Sequence, residues 1–215
     1  MNKTTAELIF ILDRSGSMAG LEEDTIGGFN AMLEKQKQQP GKAWVTTILF
    51  DHEMKTLHDR LPLEQVPPMG KEDYQVRGST ALLDALGEAI SHIKAVHSCL
   101  APQERPEKTL FVITTDGLEN ASRRYSAQEV RRLIEAQKET GWEFLFLGAN
   151  MDALETAERF GIQKDHAVNF CSDKQGTALN YQAIGEAVSE VRACRPLSAS
   201  WKREIDRDYG ARHRK

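Results

Sequence analysis

The sequence has few cysteines and no pattern that would pair them. Cys99, Cys171 and Cys194 are odd in number, widely spaced and without a CxxC pair. This usage argues against a disulfide framework and predicts reduced thiols in a cytoplasmic protein.

Long apolar runs and an excess of positive charge are also absent. The longest bulky apolar run, residues 8–12, is far shorter than the roughly 20 residues needed to span a bilayer. Residues 1–7 lack the long apolar segment of a secretory signal. The formal charge of -4 and the pI near 5.9 argue against a dedicated nucleic-acid binder. We therefore expect neither a membrane nor a nucleic acid as partner.

Strand and helix patterns alternate along the chain, which predicts an α/β fold. We expect a three-layer α/β/α, doubly wound domain whose sheet is mostly parallel, with a strand order of roughly 3-2-1-4-5-6. Residues 43–50 and 54–61 predict a hairpin, so one edge strand should be antiparallel. A helix is predicted over 21–39, in which Gly27 and Gly28 indicate close packing against a neighbouring backbone.

The domain is predicted to cover residues 1–194. Residues 195–215 carry seven Lys or Arg against three Asp or Glu, a local excess of four positive charges, and their large aromatic groups are Trp201 and Tyr209. They are expected to form a flexible basic tail.

Carboxylates and hydroxyls follow the two most apolar predicted strands. Asp13 ends the first of these strands and is followed by Ser15 and Ser17 at alternate positions, while Asp116 follows the strand at 108–115. Thr80 stands near the start of the intervening helix. Because the carboxyl ends of parallel strands form the floor of the ligand crevice, these five side chains are expected to converge. Such oxygen ligands suit Mg²⁺ or Mn²⁺.

Each of these residues also has a plain structural alternative. Ser15 or Ser17 could start a helix, Thr80 could be an ordinary N-cap, and Asp116 before Gly117 could be a turn residue. The joint pattern favours a metal site. Other acidic residues near the motifs, and two histidines whose spacing of five places them on different helix faces, lack motif support; they are Asp51, Asp84, Glu119, His92 and His97.

The motifs together resemble a known family. The run Asp13-Arg14-Ser15-Gly16-Ser17, the segment Gly78-Ser79-Thr80 and the segment Thr115-Asp116-Gly117 are similar to the three parts of the metal-ion-dependent adhesion site of von Willebrand factor A domains. The similarity extends over about residues 5–194. It implies a stand-alone member of bacterial type with a complete adhesion-site motif.

The resemblance also implies roles for the individual residues. Ser15, Ser17 and Thr80 would be direct ligands of Mg²⁺ or Mn²⁺, and Asp13 and Asp116 would act directly or through water. The remaining coordination position would take a Glu or Asp of a partner protein. For intracellular bacterial members, the resemblance implies adaptor roles, including roles with AAA-type ATPase complexes.

An enzymatic alternative is a Mg²⁺-dependent phosphohydrolase of haloacid-dehalogenase type with Asp13 as nucleophile. Such an enzyme needs a second aspartate two positions later as general acid, and Ser15 stands there. Neither a G-x-x-x-x-G-K-[ST] loop nor a G-x-S-x-G elbow occurs. The sequence therefore favours a non-catalytic interaction module.

Overall fold

A six-stranded sheet forms the middle layer in the computed structural model, which describes residues 5–213. Its strands are β1 (Thr5–Asp13), β2 (Lys42–Phe50), β3 (Met54–Pro62), β4 (Lys108–Thr115), β5 (Trp142–Gly148) and β6 (Ala167–Asn169). Their order across the sheet is β3-β2-β1-β4-β5-β6, and only β2 and β3 pair antiparallel. The predicted fold class, strand order and antiparallel edge are therefore confirmed.

Helices cover both faces of this sheet. Within the described residues they are α1 (Glu22–Lys37), α2 (Leu82–Cys99), α3 (Ala127–Lys138), α4 (Ala153–Arg159), α5 (Lys174–Arg192) and α6 (Arg203–His213). Helices α1, α5 and α6 contribute to the apolar core on one face, and α2, α3 and α4 contribute to the core on the other. The result is the predicted three-layer arrangement.

Strand β1 lies in the middle of the sheet because both of its faces are apolar. Leu8, Phe10 and Leu12 point to the core beneath α1 and α5, whereas Ile9 and Ile11 point to the core beneath α2. All five are at most 1 % exposed. A strand buried on both faces needs no alternation of polar and apolar residues. The first polar residues after its apolar run therefore mark the carboxyl end of the strand.

The C-terminal segment differs from the predicted flexible tail. Residues 199–213 form a short 3-10 turn and helix α6, with Trp201 and Ile205 buried in the core. Lys202 Nζ donates to the carbonyl oxygens of Lys164 and Ala167, at 2.6 and 2.7 Å. Two apolar anchors and one lysine thus dock a helix whose other positions are mostly polar, a pattern that periodicity alone does not reveal.

Several sequence-based predictions concern the chain ends, the cellular location and the domain boundary. Residues 1–4, which belong to the segment expected not to be a secretory signal, and residues 214–215 of the basic segment lie outside the described residues. No helix within residues 5–213 is both long and apolar enough to cross a membrane. The three cysteines are free thiols in the structure. A cytoplasmic location stays a prediction, as does a domain boundary at residue 194.

The two adjacent glycines of α1 are expected to respond in opposite ways to alanine. A Cβ at Gly28 would lie 2.3 Å from Cδ2 of Tyr181, whereas a Cβ at Gly27 would meet nothing within 4 Å. The close approach predicted from the sequence is therefore to an aromatic ring, and only at Gly28. Gly27→Ala should raise the free energy of unfolding by about 1 kcal/mol through helix propensity. Gly28→Ala should lower it by about 2 kcal/mol through overpacking. Urea unfolding of both variants tests this, and equal effects would contradict the packing.

Buried His58 is expected to make the fold less stable in mild acid. Burial lowers the pKa of His58, with Lys37 acting in the same direction and Asp73 opposing it. As the pH falls, His58 is therefore protonated in the unfolded chain at a higher pH than in the folded one. The free energy of unfolding is unaffected above about pH 6.5 and decreases as the pH drops towards the pKa of His58 in the folded state. The loss of unfolding free energy between pH 7.5 and 5.5 should be smaller in His58→Gln than in the wild type. Identical losses would show that His58 protonates equally well in both states.

Candidate metal centre

The carboxyl ends of β1 and β4 lie side by side and bring the two predicted aspartates together. Leu12 pairs with Thr114 across the two strands, so Asp13 lies beside Thr115 and Asp116. Asp13 Oδ2 accepts hydrogen bonds from Thr115 Oγ1 at 2.7 Å and from the backbone N–H of Asp116 at 3.2 Å. The first carboxylate therefore fixes the loop that carries the second.

Asp13 also organises the loop that follows its own strand. Its Oδ1 accepts from the backbone N–H of Ser15 at 2.7 Å, and its carbonyl oxygen accepts from the hydroxyl of Tyr74. Both carboxylate oxygens thus have donors from the protein, and the residue is only 1 % exposed. Asp13 is a rigid part of the site.

Three predicted hydroxyls, those of Ser15, Ser17 and Thr80, form what we call the hydroxyl cluster. Ser15 Oγ and Ser17 Oγ are 3.1 Å apart. A Cβ added to Gly117 would lie 3.2 Å from Ser17 Oγ and 3.5 Å from Thr80 Oγ1. Ser15 and Thr80 are buried while Ser17 is exposed, so the cluster opens to solvent on one side. The structure brings together the residues that the sequence analysis selected.

The capping alternatives do not account for these hydroxyls. Ser15 precedes the 3-10 turn at Gly16–Met18, but its side chain accepts no capping hydrogen bond. Helix α2 begins at Leu82 with Ala81 as its N-cap, so Thr80 lies outside the helix. The hydrogen bonds that Thr80 forms with Asn120 and Ala121 use its backbone N–H and carbonyl oxygen.

The backbone around Thr80 is held on two sides. The N–H of Thr80 donates to Asn120 Oδ1 at 2.9 Å, and the N–H of Asn120 donates back to the Thr80 carbonyl at 3.0 Å. On the other side, the N–H of Gly16 donates to the Gly78 carbonyl at 3.1 Å. Gly78 has a φ of 68° and lies against His52, where a Cβ would clash. These contacts fix the loop before α2 against the loops after β1 and β4.

Two residues that sequence reasoning missed complete the surroundings of Asp116. Ser172 Oγ and Asn150 Nδ2 donate to its two carboxylate oxygens. Burial raises the pKa of Asp116 and the Asp13 carboxylate acts in the same direction, whereas these two hydrogen bonds oppose it. Asn150 and Ser172 follow the ends of β5 and β6, so the rule that selected Asp13 would have found them if applied to every strand.

The donor set fits a hard divalent cation. It consists of hydroxyl and carboxylate oxygens, with no thiolate or imidazole among the five predicted residues. A dication beside two neighbouring buried carboxylates would offset the repulsion between them. The carboxylates already have protein donors, so the hydroxyl cluster offers the free lone pairs.

Comparison with known proteins identifies the fold. No protein-family model matches the sequence, and a search of curated proteins finds no match. Among solved structures, proximal thread matrix protein 1 from the mussel byssus, with a zinc-occupied MIDAS motif, superposes with a TM-score of 0.58 at 13 % identity over 86 % of this chain and 46 % of its own. A von Willebrand factor type A structure from Catenulispora acidiphila gives 0.55 at 13 % identity over 86 % and 42 %.

This chain has the von Willebrand factor A fold. A mutant of the PilB minor pilin from Streptococcus sanguinis also superposes, with a TM-score of 0.64 at 10 % identity over 91 % of this chain and 64 % of the pilin. The chain thus spans less than two thirds of each of these proteins. Identities this low establish only the fold. The role of each residue in this chain therefore has to be argued from the geometry of its own site.

A second cluster of potential ligands lies in the turn between β2 and β3. Ligand atoms of Asp51, His52 and Glu53 lie within 4.8 Å of one another. Asp51 is buried, however, and its Oδ2 is 2.9 Å from Arg14 Nε and 3.1 Å from Arg77 Nε. Two guanidinium groups already neutralise this carboxylate, so the cluster is an ion-pair network that ties this turn to the hydroxyl-cluster loops.

The remaining acidic residues near the motifs have structural roles. Asp84 accepts from the backbone N–H groups of residues 123–125, and Glu119 accepts from those of Leu83, Ala121 and Ser122. They hold the loop after β4. The two histidines contact different carboxylates, as shown by the pairs His92 with Asp59 and His97 with Glu7.

Proposed function

We propose that this chain is a divalent-cation-dependent protein-interaction module. Ser15, Ser17 and Thr80 would hold Mg²⁺ or Mn²⁺ directly, and Asp13 and Asp116 would act directly or through water. A Glu or Asp of a partner protein would take the open coordination position. The observation that carries this proposal is the convergence of three hydroxyls from two loops beside two buried carboxylates.

The open side of the site supports an external ligand. Ser17 is exposed, and next to it a cleft of ≈ 740 Å³ extends past Asp116 and Asn150 towards Lys174 and Tyr209. A cation held largely by neutral hydroxyls keeps most of its positive charge, so it would attract a further carboxylate. The zinc at the adhesion site of the mussel protein is consistent with a cation in this fold. An AAA-type ATPase complex as partner stays a prediction.

The proposed module has no catalytic activity of its own. As a phosphoryl-accepting nucleophile, Asp13 would need a carboxylate oxygen open to a substrate, and the residue is buried, with hydrogen bonds from Ser15, Thr115 and Asp116 to its oxygens. Ser15 also replaces the general acid that this chemistry needs. Mg²⁺-dependent release of phosphate from phosphomonoesters, lost in Asp13→Asn, would favour the phosphohydrolase instead.

The proposal is tested by partner capture with matched variants. Proteins retained by the wild type in Mg²⁺ should be lost in EDTA and lost with Thr80→Val, which removes one hydroxyl at nearly constant shape. Thr56→Val, at an exposed position of β3, is the control and should retain them. Substituting the partner's acidic residues one at a time should then identify a single Glu or Asp that binding requires. Retention that is independent of both metal and Thr80 would contradict the proposal.

A further inference from the structure

One large apolar side chain stands out on the surface. Within residues 5–213, Leu118 is the large hydrophobic residue that remains exposed, at 63 %. A single exposed leucine is ordinary on a protein surface and by itself indicates nothing. Its position in the fold is what distinguishes this one.

Leu118 lies at the rim of the hydroxyl cluster. It directly follows Gly117, where a Cβ would lie 3.2 Å from Ser17 Oγ and 3.5 Å from Thr80 Oγ1. Consecutive Cα atoms are about 3.8 Å apart. A molecule that placed a carboxylate against the hydroxyl cluster would therefore have its neighbouring residues within reach of the leucine side chain.

The loop that carries Leu118 is held in place by the residues that follow it. Immediately after it, Glu119 accepts hydrogen bonds from the backbone of Leu83 in α2, at 2.9 Å, and of Ser122, at 2.7 Å. Asn120 is joined to Thr80 by hydrogen bonds in both directions. The backbone of this loop thus presents the leucine to solvent in a defined position. Burying the leucine against a partner would therefore cost little conformational entropy of the loop.

We propose that Leu118 is a docking contact for the partner. The partner segment would carry a Glu or Asp for the cation and, next to that residue, an apolar side chain that packs on Leu118. This inference rests on the proposed function, because the carboxylate on the cation brings the apolar neighbour to the rim. Such a segment would contact the charge of the cation and an apolar side chain on a held loop at the same time.

Two synthetic peptides of equal charge test the contact. One has a single glutamate flanked by leucines, and the other has the same glutamate flanked by serines. In Mg²⁺, the leucine-flanked peptide should bind the wild type about tenfold more tightly, because a leucine becomes buried. Leu118→Ser should remove this preference and leave the Mg²⁺ affinity unchanged, and the methyl NMR signals of Leu118 should shift when the leucine-flanked peptide binds the wild type.

The outcomes separate the docking contact from the proposed function. If Mg²⁺ binds but the two peptides bind the wild type alike, or not at all, the docking contact is overturned and the metal site stands. A preference that persists in Leu118→Ser also overturns it, as does loss of Mg²⁺ binding in that variant, since Leu118 would then act on the metal site. If the wild type does not bind Mg²⁺, the proposed function fails and this inference fails with it.

Discussion

Mg²⁺ or Mn²⁺ at about a hundred times its dissociation constant is expected to raise the free energy of unfolding by about 2.7 kcal/mol. The physical reason is that the hydroxyl cluster exists only in the folded chain, since Ser15 and Ser17 reach Thr80 across 63 to 65 residues of sequence. Urea unfolding with the cation and with EDTA measures the increment, and its dependence on cation concentration gives the affinity.

Variants assign this increment to the site. Thr80→Val and Ser15→Ala should remove most of it, and Thr56→Val should keep it. Asp13→Ala should abolish it and also destabilise the metal-free protein, because the donors from Ser15, Thr115 and Asp116 lose their acceptor. An increment of the same size in every variant would place the cation elsewhere.

Replacing Arg192 is expected to lower the free energy of unfolding by about 3 kcal/mol. The Arg192 guanidinium is buried beneath the end of α1. It donates to the carbonyl oxygens of Gln36, at 2.6 Å, and Gly41, at 2.8 Å, with longer bonds to those of Gln39 and Pro40. These are carbonyls at and beyond a helix C-terminus, where few other donors reach. Arg192→Met keeps the apolar stem and removes the charged donor from these carbonyls.

A surface arginine provides the control for this measurement. Arg207 forms an exposed i,i+3 pair with Glu204, and its side chain is 71 % exposed. Arg207→Met should therefore change the free energy of unfolding by no more than about 0.5 kcal/mol. The loss of unfolding free energy in Arg192→Lys should lie between these two values, because an ammonium group cannot donate to carbonyls on both sides as the planar guanidinium does. Equal effects of the Arg192→Met and Arg207→Met substitutions would show that water replaces the guanidinium without cost.

The sheet was predictable because its central strands have a clear signature in the local sequence. They contain continuous apolar runs, at residues 8–12 and 110–113, that end in polar residues. The hairpin around Asp51 is likewise bounded by turn residues. Right-handed crossovers then leave few possible strand orders. The same rule predicts that Asp13 lies next to Asp116.

The parts that escaped prediction depend on contacts between distant residues. Helix α6 is anchored by Trp201, Ile205 and the Lys202 ammonium on the carbonyls near β6, a set with no periodic signature. Asn150 and Ser172 could have been selected as residues that follow strand ends, but their hydrogen bonds to Asp116 depend on how the fold places the ends of β5 and β6 beside that of β4. Such features follow from tertiary geometry, which spacing along the chain does not encode.

Anomalous diffraction from a crystal grown with Mn²⁺ tests the central claim most directly. The account predicts one strong peak at roughly 2.0–2.6 Å from the hydroxyl oxygens of Ser15, Ser17 and Thr80, as expected for hard-cation ligands. The peak should vanish in Thr80→Val and persist in Thr56→Val. A peak at the turn of Asp51, His52 and Glu53, or no peak in a wild-type crystal with millimolar Mn²⁺, would contradict it.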